Sequence, residues 1–273
     1  MLETAHNNLP QTARINMPSE VARLDVPSAD ARLIMPSANA RFNMTSANAR
    51  LNMPSANARF NMIEQQIRTW EVLDPAVLQL LNDVPRENFV PEEFLGLAFA
   101  DIEIPIGAHV NAGQTMLSPK LEGRILQTLK VQKTHSVLHI GTGSGYFTAL
   151  LASLAARVIS VEIEAEISAQ AAKNLIKNNI QNVTLEVTDG VFGRPGFEPY
   201  DIIVFTASSP IEPAGVRQQL AIGGVLFLVL GEAPAMQATL IGRVSENGFK
   251  QDVIFETSIP ELMYAPQLPK FEF

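Results

Sequence analysis

The sequence predicts an α/β fold with a mainly parallel sheet, helices on both faces and antiparallel strands that close the sheet. Between residues 136 and 187, three short apolar segments alternate with two longer segments of helical spacing. Strands that alternate with helices are typical of parallel sheets, because a helical crossover must carry the chain back before it can form the next strand. The first apolar segment also runs directly into a glycine-rich loop and a helix, which is a common junction in this fold class.

Two helix starts precede the first strand. Asp74 stands before Pro75, and Ser118 stands before Pro119. In each pair, a residue type that caps helices precedes proline, which is favoured at the first helical position. The second helix is expected to bury one face, formed by Leu121, Ile125, Leu126 and Leu129.

The strand candidates then follow in chain order. They are SVLHI (136–140), RVISVE (157–162), VTLEV (183–187), DIIVFT (201–206) and VLFLVL (225–230). Helices are expected near 146–155 and 164–179, between the first three strands. The segments ATLIGRV (238–244) and DVIFETS (252–258) are expected to form the closing antiparallel strands.

Composition limits the classes of function. The chain has 273 residues, no cysteine, no apolar run of membrane-spanning length and a net charge of −8. Residues 1–61 carry six arginines and four acids, a balance of +2, so the remainder carries −10. An acidic body is a poor partner for nucleic acid, and neither a membrane partner nor a metal site is expected. We expect a cytoplasmic protein.

The first 61 residues repeat with a period of nine. Alanine and arginine recur as a pair from Ala13-Arg14 to Ala58-Arg59, and prolines interrupt the copies. A nine-residue period keeps no apolar face on one side of a simple helix or strand, so residues 1–58 are predicted to be a disordered extension. Residues 59–273 are predicted to form the folded domain. We expect the extension to be a tandem duplication, dispensable up to residue 52.

The glycine-rich loop indicates the ligand. Three glycines alternate with other residues after the first strand and before a helix, where backbone approaches a ligand closely. The loop lacks the Lys-Ser/Thr of a phosphate-binding P-loop, and its third glycine comes one residue too early for a dinucleotide loop. S-adenosylmethionine (SAM), which carries no phosphate, fits best. The candidate residues of the loop are Gly141, Thr142, Gly143, Ser144, Gly145 and Tyr146.

Acidic residues at two later strand ends extend this site. Glu162 ends the second strand, 21 residues after Gly141, where a carboxylate can accept the hydroxyls of a ribose. Glu164 and Glu166 are the alternatives, although they are more typical of helix starts. Asp189 and Gly190 follow the third strand, where an acceptor could meet the adenine amino group, and a plain turn is the competing interpretation.

At this point the chain resembles a known family. The motifs are VPRENFVP (84–91), AFAD (98–101), IPIGAHVNAGQT (104–115), VLHIGTGSGY (137–146), VISVE (158–162), TDG (188–190), YDIIVFTASSP (200–210) and GGVLFLVLGE (223–232). Together they are similar to the protein-L-isoaspartate O-methyltransferases over about residues 59–258. The resemblance implies a class I SAM-dependent methyltransferase fold, SAM as donor and isoaspartyl residues of damaged proteins as acceptor. It also implies a monomer, and a cofactor role for Thr206 at the end of its strand.

Two positions depart from the family pattern. His139 stands where the family has an acidic residue thought to hold the SAM ammonium. A neutral imidazole could still accept a hydrogen bond, but a protonated one would repel the ammonium, so we expect SAM binding to weaken below about pH 6. In the acceptor loop, Leu117 replaces the family serine and Ser118 follows it.

The acceptor site is therefore less well defined than the donor site. Thr115 and Ser118 are the catalytic candidates, although Ser118 is more simply a helix N-cap. Asp101, Gln114 and Leu117 are the candidates for binding the substrate. Methyl transfer to an ionised carboxylate needs no general base, which agrees with the lack of a triad or acid/base pair. A methyltransferase with another carboxylate or small-molecule acceptor, and a SAM-binding protein without turnover, remain alternatives.

Overall fold

A computed structural model describes residues 55–106 and 113–268 of the chain. The predicted extension therefore lies outside the described residues except at its end, and so does part of the IPIGAHVNAGQT motif. The described chain opens with helical residues 55–61, which continue into a π-helical turn, Met62–Ile67, and a 3-10 turn, Arg68–Trp70. The boundary between residues 58 and 59 stays a prediction.

A seven-stranded sheet forms the centre of the protein. A short antiparallel pair, β1 (Ile104–Pro105) and β2 (Thr115–Met116), precedes it. The strands of the sheet are β3 (Ser136–Ile140), β4 (Arg157–Glu162), β5 (Val183–Val187), β6 (Tyr200–Ser209), β7 (Leu220–Leu230), β8 (Met236–Arg243) and β9 (Phe249–Thr257). Their order is β5-β4-β3-β6-β7-β8-β9; the five strands from β5 to β7 are parallel, and β8 and β9 extend one end of the sheet in antiparallel pairing.

The predicted order of strands and helices is confirmed. Besides the helical residues 55–61, the described chain contains the α-helices α1 (Pro75–Asp83), α2 (Pro119–Leu129), α3 (Tyr146–Leu154) and α4 (Ala165–Lys177). The main difference lies in β6 and β7, which are longer than expected because their pairing begins at Tyr200 and Leu220 and continues through two register shifts. The β1-β2 pair was not predicted, because strands of two residues are too short to show a periodic pattern.

Buried apolar side chains fill both faces of the sheet. Leu121, Ile125, Leu126 and Leu129 are all buried on α2, as predicted. Apolar clusters lie on each face of the sheet and contain alternate residues of the central strands; Val137 and Ile202 belong to one, Leu138 and Ile203 to the other. This arrangement follows from the two-residue period of strands, and it exposes only the strand ends to a ligand.

The two predicted helix caps differ. Asp74 accepts a hydrogen bond from the backbone N–H of Ala76 at 2.8 Å, as expected for an N-cap. Ser118 occupies the N-cap position of α2, but its side chain makes no capping hydrogen bond. Instead, Asp101 accepts from the Lys120 N–H at 3.3 Å and pairs with the Lys120 Nζ at 2.8 Å. The predicted N-cap position of Ser118 is confirmed, but the side-chain bond at this helix start comes from Asp101, in another part of the chain.

Within residues 55–106 and 113–268, no helix has the length and apolar content needed to cross a bilayer.

Candidate active site

The loop from Gly141 to Gly145 leaves the carboxyl end of β3, a central strand, and leads into α3. Its three glycines have φ values of +93°, +56° and +85°. Residues with a Cβ rarely adopt such values, so the backbone conformation itself requires glycine here. A Cβ on Gly141 would also stand 2.9 Å from the Thr206 Oγ1. The loop is therefore a bare backbone surface at the end of the sheet.

Glu162 lies beside this loop at the end of β4. Its Oε2 accepts from the Gly143 N–H at 2.9 Å, and its Oε1 accepts from the N–H groups of Ile163 and Glu164 at 3.0 and 3.2 Å. Burial raises the pKa of Glu162 above its ordinary value, while these hydrogen bonds act in the opposite direction. Three of the roughly four acceptor positions of a carboxylate are thus in use. A ribose that engaged both of its hydroxyls would have to replace one of these bonds.

Several cavities are lined by residues of the glycine loop. A cavity of about 110 Å³ is lined by Gly141, Gly143, Glu162 and Thr206, among other residues. A smaller one, about 30 Å³, lies at the end of β4 and β5, where Asp189 and Gly190 meet Glu162 and Ile163. Asp189 accepts from the Val191 N–H at 2.9 Å, which is a turn-forming bond. The predicted ribose and adenine positions are therefore next to each other.

A larger cavity, about 610 Å³, is lined by Gly143 and Ser144, among other residues. Its described lining combines apolar side chains with four acids, Glu92, Glu93, Glu164 and Glu166. Glu164 and Glu166 stand at the start of α4, which is the helix-start role expected for them.

None of the described residues that line these cavities is lysine, arginine or histidine. Ligands with phosphate groups need cationic or N–H donors, whereas a cationic ligand suits an acidic site. The described lining therefore favours a sulfonium nucleoside over a dinucleotide or ATP.

His139 lies below the loop and is fully buried. Its Nδ1 lies 2.9 Å from the Thr148 Oγ1 and 3.1 Å from the Ser160 Oγ, and its Nε2 lies 3.0 Å from the Thr206 Oγ1. Burial lowers the pKa of His139 to about 3. The expected protonation near pH 6 is therefore wrong, because hydroxyl groups surround a ring that is removed from water. With both ring nitrogens engaged, His139 holds the base of the loop in place.

The remaining polar side chains at the loop also form hydrogen bonds within the protein. The Thr142 Oγ1 lies 2.7 Å from the Ser160 Oγ, and the Ser144 Oγ accepts from the Tyr146 N–H at 3.3 Å. Thr206 donates to the Gly141 carbonyl at 2.8 Å. Side chains of this loop thus fix its shape, and its backbone is what a ligand would meet.

The acceptor candidates divide into two groups. Thr115 and Gln114 both line the 110 Å³ cavity next to the glycine loop. Leu117 is buried and lines a further small cavity beneath the loop. Ser118 and Asp101 line none of these described cavities and lie at the start of α2 instead. Thr115 also donates to Glu103 at 3.2 Å, and burial raises the pKa of this glutamate.

Two buried charges were not singled out from the sequence. Arg86 and Glu122 form an ion pair with side-chain exposures of 1% and 2%, and Arg86 also donates to the Leu117 carbonyl at 2.8 Å. Arg86 belongs to the VPRENFVP motif, so the motif was the available signal. No sequence signal pointed to Glu122, because an acid in the first turn of a helix is ordinarily a solvated residue.

Fold and site together define a class I methyltransferase: a seven-stranded sheet with two antiparallel strands at one end, a glycine loop after a central parallel strand, and an acid at the end of the next strand.

Comparisons with known proteins agree. Residues 57–260 match the family described as protein-L-isoaspartate(D-aspartate) O-methyltransferase. A Rhodopseudomonas palustris protein-L-isoaspartate O-methyltransferase is 36% identical over 204 residues, which cover 74% of this chain and 92% of that protein. The chain belongs to the protein-L-isoaspartate O-methyltransferase family.

Solved structures support the fold. A protein-L-isoaspartate O-methyltransferase structure superposes with a TM-score of 0.66 at 24% identity, covering 75% of this chain and 65% of that one. A Plasmodium falciparum protein assigned the same activity, in complex with S-adenosyl-L-homocysteine, superposes with a TM-score of 0.63 at 18% identity. The match covers 74% of this chain and 96% of that one.

Proposed function

We propose that this protein transfers a methyl group from SAM to the free carboxylate of isoaspartyl residues in damaged proteins. The observation that carries this proposal is family membership over residues 57–260, joined to a glycine loop and Glu162 in the arrangement that a nucleoside site needs. The relatives at 34–38% identity carry the name of this activity.

Residues of the loop would hold the donor. The backbone of Gly141 and Gly143 offers a surface without side chains, and Glu162 would accept the ribose hydroxyls. Asp189 and Gly190 would meet the adenine. Support comes from the shared cavity lining and from the lack of cationic side chains among its described members, since SAM carries a positive sulfonium and no phosphate.

The chain's own contribution to the chemistry is positioning. When bound, SAM supplies a methyl group on a sulfonium, which an incoming carboxylate oxygen displaces in line, so that the sulfur keeps the bonding pair. A carboxylate with a pKa near 4 is already ionised at neutral pH, so no residue has to remove a proton. Thr115 and Gln114 line the cavity next to the loop and would orient the acceptor, which is where most of the acceleration would arise. The other acceptor candidates, Asp101 and Ser118, lie at the start of α2 and would hold in place the segment that carries Gln114 and Thr115.

One observation favours a second candidate. Leu117 stands where the family has a serine, and it lines the small cavity beneath the loop. An apolar side chain there would suit another acceptor, such as a different carboxylate or a small molecule. A SAM-binding protein without turnover is the third possibility.

The test uses labelled SAM and a pair of peptides that differ only in an isoaspartyl or a normal aspartyl residue. We expect methyl ester on the isoaspartyl peptide alone. Transfer to neither peptide, with SAM bound, would contradict the proposal and direct the search to other acceptors through a lysate-wide screen.

We further propose that the protein acts in the cytoplasm, as a monomer, without nucleic acid or membrane partners. Support comes from the acidic body and from the absence of cysteine in the sequence.

A further inference from the structure

A buried polar cluster lies beneath the glycine loop and includes Tyr146 from the end of that loop. It consists of Arg86, Glu122 and Tyr146, each no more than 2% exposed. Arg86 and Glu122 form an ion pair, and the Arg86 guanidinium lies 5.0 Å from the centre of the Tyr146 ring. The Tyr146 hydroxyl has no hydrogen-bond partner among the described residues. A buried donor without a partner is costly, so a ligand is a natural candidate for that role.

This cluster opens onto the donor site. A cavity of about 30 Å³ is lined by Glu122 and Tyr146 together with the loop from Gly141 to Ser144. Its volume suits one group of the size of water or ammonium. It shares four lining residues with the 110 Å³ cavity that Glu162 lines: Thr115, Gly141, Gly143 and Thr206. The two cavities are therefore adjacent, and a nucleoside bound at Glu162 has room to place its amino-acid end beside Glu122.

The amino-acid end of SAM carries an ammonium, which needs a counter-charge in a buried site. His139 cannot supply one, because it is an uncharged ring whose nitrogens both lie within hydrogen-bond distance of hydroxyl groups. Glu122 is the only acid among the described residues that line the 30 Å³ cavity beneath the loop.

We propose that Glu122, from the first turn of α2, binds the ammonium of the donor's methionyl group. The Tyr146 hydroxyl then donates a hydrogen bond to the carboxylate of the same methionyl group. This inference rests on the proposed use of SAM. A methionyl zwitterion beside the Arg86–Glu122 pair keeps the cluster neutral overall, which limits the cost of burying four charges. Arg86 then acts as a positioning residue, since it holds both the Glu122 carboxylate and the Leu117 carbonyl.

The test compares two ligands by calorimetry: S-adenosyl-L-homocysteine and its deaminated analogue, which has hydrogen in place of the amino group. We expect the natural chain to bind the first at least about tenfold more tightly, as for a charge-assisted hydrogen bond. In Glu122→Gln this preference should fall to within about threefold. Arg86→Lys is the matched control, because it keeps both a cation beside Glu122 and the carboxylate itself, so its preference should persist.

Removing one partner of a buried pair can unfold a protein, whereas replacing both by apolar residues is often tolerated. The double variant Arg86→Met/Glu122→Met therefore provides a second test, and it should also lose the preference. An unchanged preference in Glu122→Gln or in the double variant would overturn the inference, as would a natural chain that binds both ligands equally. If the natural chain binds neither ligand, the proposed use of SAM is what fails.

Discussion

Gly141 shows most directly how single residues fix the site. Its φ is +93°, and a Cβ added there would stand only 2.9 Å from the Thr206 Oγ1, so the backbone leaves no room for a side chain. We expect Gly141→Ala to lower the free energy of unfolding by about 1–2 kcal/mol, since strain at such positions has that size. It should also weaken binding of S-adenosyl-L-homocysteine at least about tenfold, because the loop would shift.

The matched control is Gly242→Ala on β8, where no atom lies within 4 Å of an added Cβ and φ is not positive. Urea unfolding and calorimetry of both variants give the comparison. Equal effects of the two substitutions would contradict the role assigned to the loop backbone.

Glu122 predicts a pH dependence of donor binding. Burial raises the pKa of Glu122 to about 7, against the opposing effect of Arg86. The charged and titratable groups that face this cluster are Arg86 and Tyr146, with Arg59 and Glu87 also acting on the tyrosine. A raised pKa means that the carboxyl is neutral below about pH 7 and charged above it. An ammonium binds the charged form, so the dissociation constant should rise as the pH falls.

Between pH 8 and pH 6, we expect the dissociation constant of S-adenosyl-L-homocysteine to increase about tenfold, while that of its deaminated analogue stays flat. Glu122→Gln should remove the difference. If the variant keeps the same pH profile, another group causes it; His139 is excluded over this range by its pKa of about 3.

At the scale of elements, the start of α2 gives a prediction that separates two side chains. Asp101 accepts from the Lys120 N–H, whereas Ser118 makes no capping bond. We expect Asp101→Ala to lower the free energy of unfolding by about 1 kcal/mol, the usual cost of a lost cap. Ser118→Ala should change it by less than about 0.5 kcal/mol. If urea unfolding showed a larger loss of stability for Ser118→Ala than for Asp101→Ala, Ser118 and not Asp101 would be the side chain that caps α2.

The same helix shows what sequence can and cannot predict. Helices and parallel strands were predictable because their apolar spacing repeats over many residues, and the glycine loop because only glycine tolerates its backbone. The capping role of Asp101 was not predictable, since it joins positions 19 residues apart that only the tertiary fold brings together. The same reason explains why the charge of His139 was misjudged and why Glu122 was missed. Burial and contacting partners determine the charge of each side chain, and neither is visible in the sequence.

At the scale of the whole molecule, the repeat tract and the folded domain meet near Arg59. Arg59 belongs to the last copy of the repeat, yet it forms an ion pair with Glu87 and donates to the Asn82 carbonyl at 3.2 Å. Met62 and Ile63, which follow it, are buried in the core. The last copy of the repeat is therefore part of the folded domain.

We expect deletion of residues 1–52 to leave activity and melting temperature nearly unchanged. Deletion of residues 1–63 should lower the melting temperature by several degrees or prevent folding, since it removes two core side chains worth about 2–5 kcal/mol each. Thermal unfolding of both truncations provides the measurement. A large loss in the shorter deletion would mean that the repeats themselves stabilise the protein.

The most direct measurement of the donor site is a calorimetric titration of the full chain with S-adenosyl-L-homocysteine, NAD and ATP, repeated on Glu162→Gln. We predict saturable binding of the first ligand alone, weakened at least about tenfold in the variant because one of the two acceptor oxygens that face the ribose is replaced by an NH₂ donor. No heat with that ligand, together with saturation by NAD or ATP, would contradict the assignment of this fold's glycine loop to a sulfonium nucleoside.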